Sequence, residues 1–173
     1  DILLGLASKK HIGHVLAGES NVEEIILQGP EGIHVLPAGD GLQELTQLES
    51  EKKMVLMDEL DRISRDYDFL IFDTGAGISP NVTFFCSAAH ETFLVATTEP
   101  TSLTDVYALM KILHNNHSQK HFRLLVNLVS SEREAQGVYQ NLTAVTDRFL
   151  KDVAVEYLGY ILHDPNVSKA IRQ

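Results

Sequence analysis

Five short apolar runs alternate with longer stretches of helical periodicity, and this alternation constrains the fold more than any other feature of the chain. The runs are Ile33 to Leu36, Phe69 to Phe72, Phe93 to Ala96, Phe122 to Val126 and Val155 to Ile161. Near-continuous apolar runs read as strands covered on both faces, as in parallel sheets. Parallel neighbours need crossover connections, and a helix is the usual one. Between the runs, Glu51 to Arg65 sets Leu56, Leu60 and Ile63 on one helical face, and Leu103, Val106, Met110 and Leu113 do the same in the next helix. That second helix is expected to start at Ser102, with Asp105 three residues later as in a capping box. The sequence therefore predicts an α/β fold, a mostly parallel sheet with helices on both faces. Asp1 to Leu27 differs, reading as short helical pieces around His11 to Leu16 and Val22 to Leu27, ended by Gly29-Pro30. With 173 residues, no internal repeat and no linker-like stretch, a single domain is expected over the whole chain.

The second run carries the chemistry. Asp66 to Ser79 reads DYDFLIFDTGAGIS, an apolar strand that delivers Asp73 and then breaks into Thr74, Gly75, Ala76 and Gly77. Ligands of open α/β sheets gather beyond the strands' carboxyl ends, where Asp73 is expected. A carboxylate there can hold a magnesium ion directly or through its waters, and Gly75 and Gly77 let the backbone approach a phosphate. Asp73 could equally cap the following helix.

The same rim is expected to hold Thr97 to Thr101, whose hydroxyls read chiefly as helix caps. Asn127, at the end of FRLLVN, offers the donor and acceptor that read the edge of a purine, and is also a common strand terminator. Asp164-Pro165-Asn166 follows the last run, with Pro165 placed to open a helix. His114, His117 and His121 are close in sequence, but Asn115, Asn116 and Ser118 interrupt the helical pattern, so they read as a polar helix end rather than a metal site. Cys86 lies in the apolar stretch Val82 to Ala89 and reads as a small buried residue rather than a nucleophile.

Charge and cysteine content exclude several classes. Fourteen basic against 24 acidic residues give a net charge of −10 and no basic run, which disfavours sequence-independent DNA binding. One cysteine permits no intrachain disulfide and no CxxC pair, as fits a reducing cytoplasm. No apolar run approaches the ~20 residues that span a bilayer, and no signal-peptide pattern opens the chain, so it reads as soluble and untargeted.

Taken together, ILLGLASKKHIGHVLAGE (2 to 19), IHVLPAGDG (33 to 41), DYDFLIFDTGAGIS (66 to 79), TTEPTSLTDVYALMKIL (97 to 113), LLVN (124 to 127) and YLGYILHDPNVSKAIRQ (157 to 173) resemble the MinD/ParA family of deviant-Walker-A P-loop ATPases. The DTGAGIS wording, the opening and the GY-x-x-x-DP-x-V ending are most similar to its FlhG branch, also called FleN or YlxH, which controls flagellar number and placement. The resemblance implies a SIMIBI/MinD-like P-loop fold with ATP or ADP and Mg2+ held between two subunits of an ATP-dependent homodimer. It implies that Asp73 is the Walker-B aspartate near magnesium, that Thr74 to Gly77, with Gly75, form switch II, and that Asn127 and Asp164 approach the adenine. It further implies a flagellar GTPase or other polar or flagellar partner, and a membrane surface reached through an amphipathic C-terminal tail. Two departures stand out. Leu162 replaces the usual proline before the adenine loop, and no KGGxGKS-like loop occurs anywhere in the chain. In the family that loop lies upstream of the part matching Asp1, and members continue beyond the position of Gln173, so the chain is expected to be cut at both ends.

Two classes of function follow. The first is a switch ATPase, active in the complete protein and inactive in this segment alone. The second is a nucleotide-free scaffold or dimerisation module of the same fold. A partition ATPase of the ParA type should carry a basic surface, and an iron-sulfur or nickel carrier should carry paired cysteines where this chain has Cys86 alone.

Overall fold

The polypeptide divides between Phe72 and Asp73 into two units in the computed structural model, which describes residues 5, 6, 8–38 and 50–170. Asp1 and Gln173 lie outside the described residues.

In the first unit, α1 (Ile12–Leu16), α2 (Val22–Ile25), β1 (Leu27–Gln28), β2 (His34–Val35) and α3 (Ser50–Ser64) follow in order. The stripe expected on α3 is the buried one: Leu56, Leu60 and Ile63 are enclosed, as are Ile12, Val15, Val22 and Ile25 of the two short helices it contacts. Arg62 ties α3 to α2 through a fork onto Glu23, one arm of which measures 2.9 Å, and it also bonds Glu59 one turn earlier. α1 is held at its start by histidines: the His11 Nδ1 accepts from the Gly13 N–H, and the His14 Nδ1 accepts from the His11 N–H.

Two of the five expected strands behave differently here. The run at Ile33 to Leu36 supplies β2, which pairs antiparallel with β1, Leu27 opposite Val35, instead of joining a parallel sheet. The connection is too short for a crossover: Pro30–Gly32 is one tight turn with Glu31 and Gly32 at positive φ, and the Gly29 N–H closes it onto the Ile33 carbonyl at 2.7 Å. Phe69 to Phe72 forms no strand, and Phe69 and Ile71 are 86% and 83% exposed. An apolar run becomes a strand only where a neighbour takes its backbone hydrogen bonds, and neither sheet of the described residues extends to it.

The second unit carries the parallel sheet. After α4 (Pro80–Ala88) come β3 (Phe93–Ala96), α5 (Pro100–His117), β4 (His121–Val129), α6 (Glu132–Phe149), β5 (Ala154–Leu162) and α7 (Pro165–Ala170). The strands pair in the order β3-β4-β5, all parallel and flanked by helices, so the α/β class is as expected. Successive crossovers that step the same way along a sheet put their helices on one face when both share a hand. Accordingly Val106, Met110 and Leu113 of α5 and Ala135, Val138 and Leu142 of α6 share one buried cluster with Leu94, Ala96, Phe122, Leu124 and Val126 of the sheet. The alternate residues Phe93 and Val95 are exposed on the other face.

α5 begins two residues before the expected Ser102. Pro100 occupies the first turn, where a missing N–H costs nothing, and the Ser102 hydroxyl instead accepts the Thr97 N–H at 3.0 Å. The helix also runs on through Asn115 and Asn116 to His117, ending at a left-handed Ser118. Among the described residues, no helix is long and apolar enough to cross a membrane.

Candidate functional site

Because the three strands are parallel, their carboxyl ends share one rim, and the topology sets Thr97, Asn127 and Asp164 there. The His163 N–H donates to the Val129 carbonyl at 2.9 Å, which locks the end of β5 beside the end of β4.

Asn127 is not the last residue of its strand. Phe122, Leu124 and Val126 alternate inward, and strict alternation would bury Leu128; instead Leu128 is 51% exposed and Val129 is fully buried. One extra residue has been inserted. The ladder agrees, since Val126 faces Tyr160 and Val129 faces Leu162, three steps on β4 against two on β5. Leu128 sits at φ +59, and the Asn127 Oδ1 accepts its N–H at 2.9 Å. The Asn127 oxygen is thereby engaged, while its amide NH2 has no partner among the described residues. Nothing in the residue types of Asn127-Leu128-Val129 announces this bulge, because a leucine is an unusual choice at positive φ.

Asp164 behaves as the cap of α7: its Oδ1 accepts the Asn166 N–H at 2.8 Å, with Pro165 at the first helical position. Its other oxygen has no partner among the described residues. Thr97 is likewise engaged locally, its hydroxyl accepting the Glu99 N–H at 3.4 Å.

Asp73 to Ser79 has no regular secondary structure and leads into α4, whose start is capped by the Ser79 hydroxyl through the Val82 N–H. Asp73 is exposed, and its carboxylate has no hydrogen-bond or ion-pair partner among the described residues. It is therefore not the cap of the next helix, which was the alternative reading of the sequence. Gly77 has φ +97, a conformation side chains rarely adopt, and at Gly75 a Cβ would meet nothing within 4 Å. Thr74 is half-buried between them and Asp73. No hydrogen bond joins Asp73, Thr74, Gly75 or Gly77 to Asn127 or Asp164 among the described residues.

These residues fit parts of a magnesium-nucleotide ligand. A free carboxylate suits a hydrated cation, and a rim amide suits a base. The lysines that would grip phosphates in a glycine-rich loop are not in this sequence. Other candidates fall away. Cys86 is half-buried and burial pushes its thiol up, away from thiolate reactivity. His114 meets Asp152 at 3.2 Å, where Lys120 at 2.8 Å holds the same carboxylate below the usual range. No three His, Cys, Asp or Glu side chains among the described residues are grouped to hold a metal ion.

A family profile described as an AAA domain matches residues 4–126. Over its whole length the chain is similar, at 40% identity, to the antiactivator FleN of Pseudomonas aeruginosa, covering 61% of that protein. It is 27% identical, again over its whole length, to the flagellum site-determining protein YlxH of Helicobacter pylori, covering 58% of it. Over 98% of its length it is 21% identical to the septum site-determining protein MinD of Bacillus subtilis, covering 62% of that one. The chain thus spans about three fifths of the length of these relatives.

Proposed function

The chain belongs to the MinD/ParA family of P-loop ATPases, in its FlhG-like branch, and on that footing we propose that it is part of a dimerising nucleotide switch that sets the number or placement of flagella. The support for the flagellar role is the match to FleN and YlxH along the entire chain. The observation that carries the nucleotide reading is the unengaged carboxylate of Asp73, exposed just ahead of a glycine held at φ +97. The profile match at residues 4–126 crosses the division between the two units, which supports reading them as one nucleotide-binding domain.

When bound, ATP with Mg2+ supplies a γ-phosphate whose presence or loss is the signal. Asp73 would hold magnesium through its waters, with Thr74, Gly75 and Gly77 as the segment that answers to the phosphate. The positive φ of Gly77 keeps that segment bent without a side chain in the way. The Asn127 amide and the open oxygen of Asp164 would read the base from the neighbouring strand ends. Members of the family typically dimerise, and an ATP-dependent homodimer is the form proposed for the complete protein. A flagellar GTPase or other polar or flagellar protein is the proposed partner, and the cytoplasm, with peripheral association at the inner face of the membrane, the proposed location.

The test is calorimetry of ATP binding to the complete gene product, with and without Mg2+, against Asp73→Asn. Magnesium-dependent binding is expected, and the variant should lose the magnesium dependence. No magnesium-dependent binding in the unmodified protein would overturn the switch and leave the scaffold reading.

A further inference from the structure

The opposite rim of the sheet carries a cleft. The amino ends of the three parallel strands border it; it is open to solvent, measures about 270 Å3, and has a polar lining of His90, Glu91, Thr92, His121, Arg123 and Glu156. Ordinary small-molecule pockets run from ~300 to 1,000 Å3, so this one suits a group the size of a side chain rather than a nucleotide.

Its charge selects the ligand. Arg123 is the one cation of the lining with the histidines counted neutral, and both carboxylates already hold it: Nη2 to Glu91 Oε1 at 3.0 Å and Nε to Glu156 Oε2 at 3.2 Å. Two carboxylates against one guanidinium leave a charge of −1. An anion would meet a cation already neutralised, whereas a cation would meet two carboxylates whose other oxygens, Glu91 Oε2 and Glu156 Oε1, have no partner among the described residues. Behind the lining residue Thr92, whose hydroxyl accepts the Gln119 Nε2 at 2.8 Å, the Gln119 Oε1 is buried without a hydrogen bond among the described residues. The chain's net charge of −10 draws cations from a distance in the same sense. A metal ion is a poor match, because no three ligating side chains are grouped among the described residues.

We propose that this cleft binds one guanidinium or ammonium group, presented by a ligand of side-chain size, independently of the nucleotide rim. Proton–carbon NMR of the His90 and His121 rings in the complete gene product reads the site. N-acetylarginine amide stands for a basic side chain of a protein, spermidine for a free polyamine, and inorganic phosphate for an anion. Saturable shifts of both rings with the arginine derivative, the polyamine or both are expected, the tighter of the two identifying the source. The double variant Glu91→Gln, Glu156→Gln should weaken that binding about fivefold or more, as the loss of close partly exposed charges implies. If circular dichroism shows that the double variant does not fold, Glu91→Gln alone takes its place. Shifts with phosphate alone, no shifts with either cation, or unchanged affinity in the folded variant would each overturn the proposal.

Discussion

The Asn127 side chain accepts the backbone N–H of the residue that follows it, Leu128, at 2.9 Å, and so supports a leucine held at φ +59 in the last turn of the central strand. That pairing couples a proposed base-reading residue to a strained backbone. Asn127→Ala removes the support and is expected to cost about 1 kcal/mol. Leu128→Gly relieves the left-handed strain and should be neutral to stabilising by up to about 1 kcal/mol. Thermal melts of the two variants should therefore move in opposite directions, or the second not at all; a lower melting temperature for Leu128→Gly would argue against strain at this bulge.

The covered face of the sheet should dominate stability. Met110 is fully buried under the strands, and Met110→Ala is expected to cost about 2–5 kcal/mol. Phe93, 58% exposed on the opposite face, should tolerate Phe93→Ala within about 0.5 kcal/mol. Urea unfolding of both variants checks the contrast, and equal losses would mean that the open face is covered in solution.

Acid should loosen α2 from α3. The Arg62 guanidinium beside Glu23 holds its carboxyl down at about 2 from an ordinary value of 4.5. A depressed acid contributes stability above its unfolded pKa and loses it as the pH falls toward its folded one. The contribution should thus be complete above about pH 4.5 and gone near pH 2. Both side chains are exposed, so the effect is modest and weakens in salt. NMR titration of the Glu23 side-chain carboxyl gives the midpoint, and an ordinary value there would remove the Arg62 tie.

Asp73 should separate function from folding. With no partner for its carboxylate among the described residues, Asp73→Ala is expected to shift stability by no more than about 0.5 kcal/mol. A melt that falls by several degrees would show that the carboxylate has a structural role.

What the sequence disclosed and what it hid divide along physical lines. Periodicity alone placed Phe93–Ala96 to the residue and picked Leu56, Leu60 and Ile63 as the covered stripe of α3, because burial imposes those repeats directly. Pro100 carries the true helix start, while the Ser102-Asp105 spacing only mimics one, because the Ser102 hydroxyl is spent on the Thr97 N–H. Phe69 to Phe72 has the composition of a strand without being one, since composition specifies readiness to pair and not the presence of a neighbour. The bulge at Leu128 was hidden for a similar reason. It is set by the register between β4 and β5, a relation between two segments that neither states by itself.

The strand order β3-β4-β5 also grades how long each strand keeps its amide protons. β4 has a partner on both sides, whereas β3 and β5 have only one in this sheet. In deuterated water, label should enter the outer strands through small openings that leave the centre shut. Phe122, Leu124 and Val126 should exchange only when the whole unit opens, making their amides the slow clock against which every local motion near the rim can be timed.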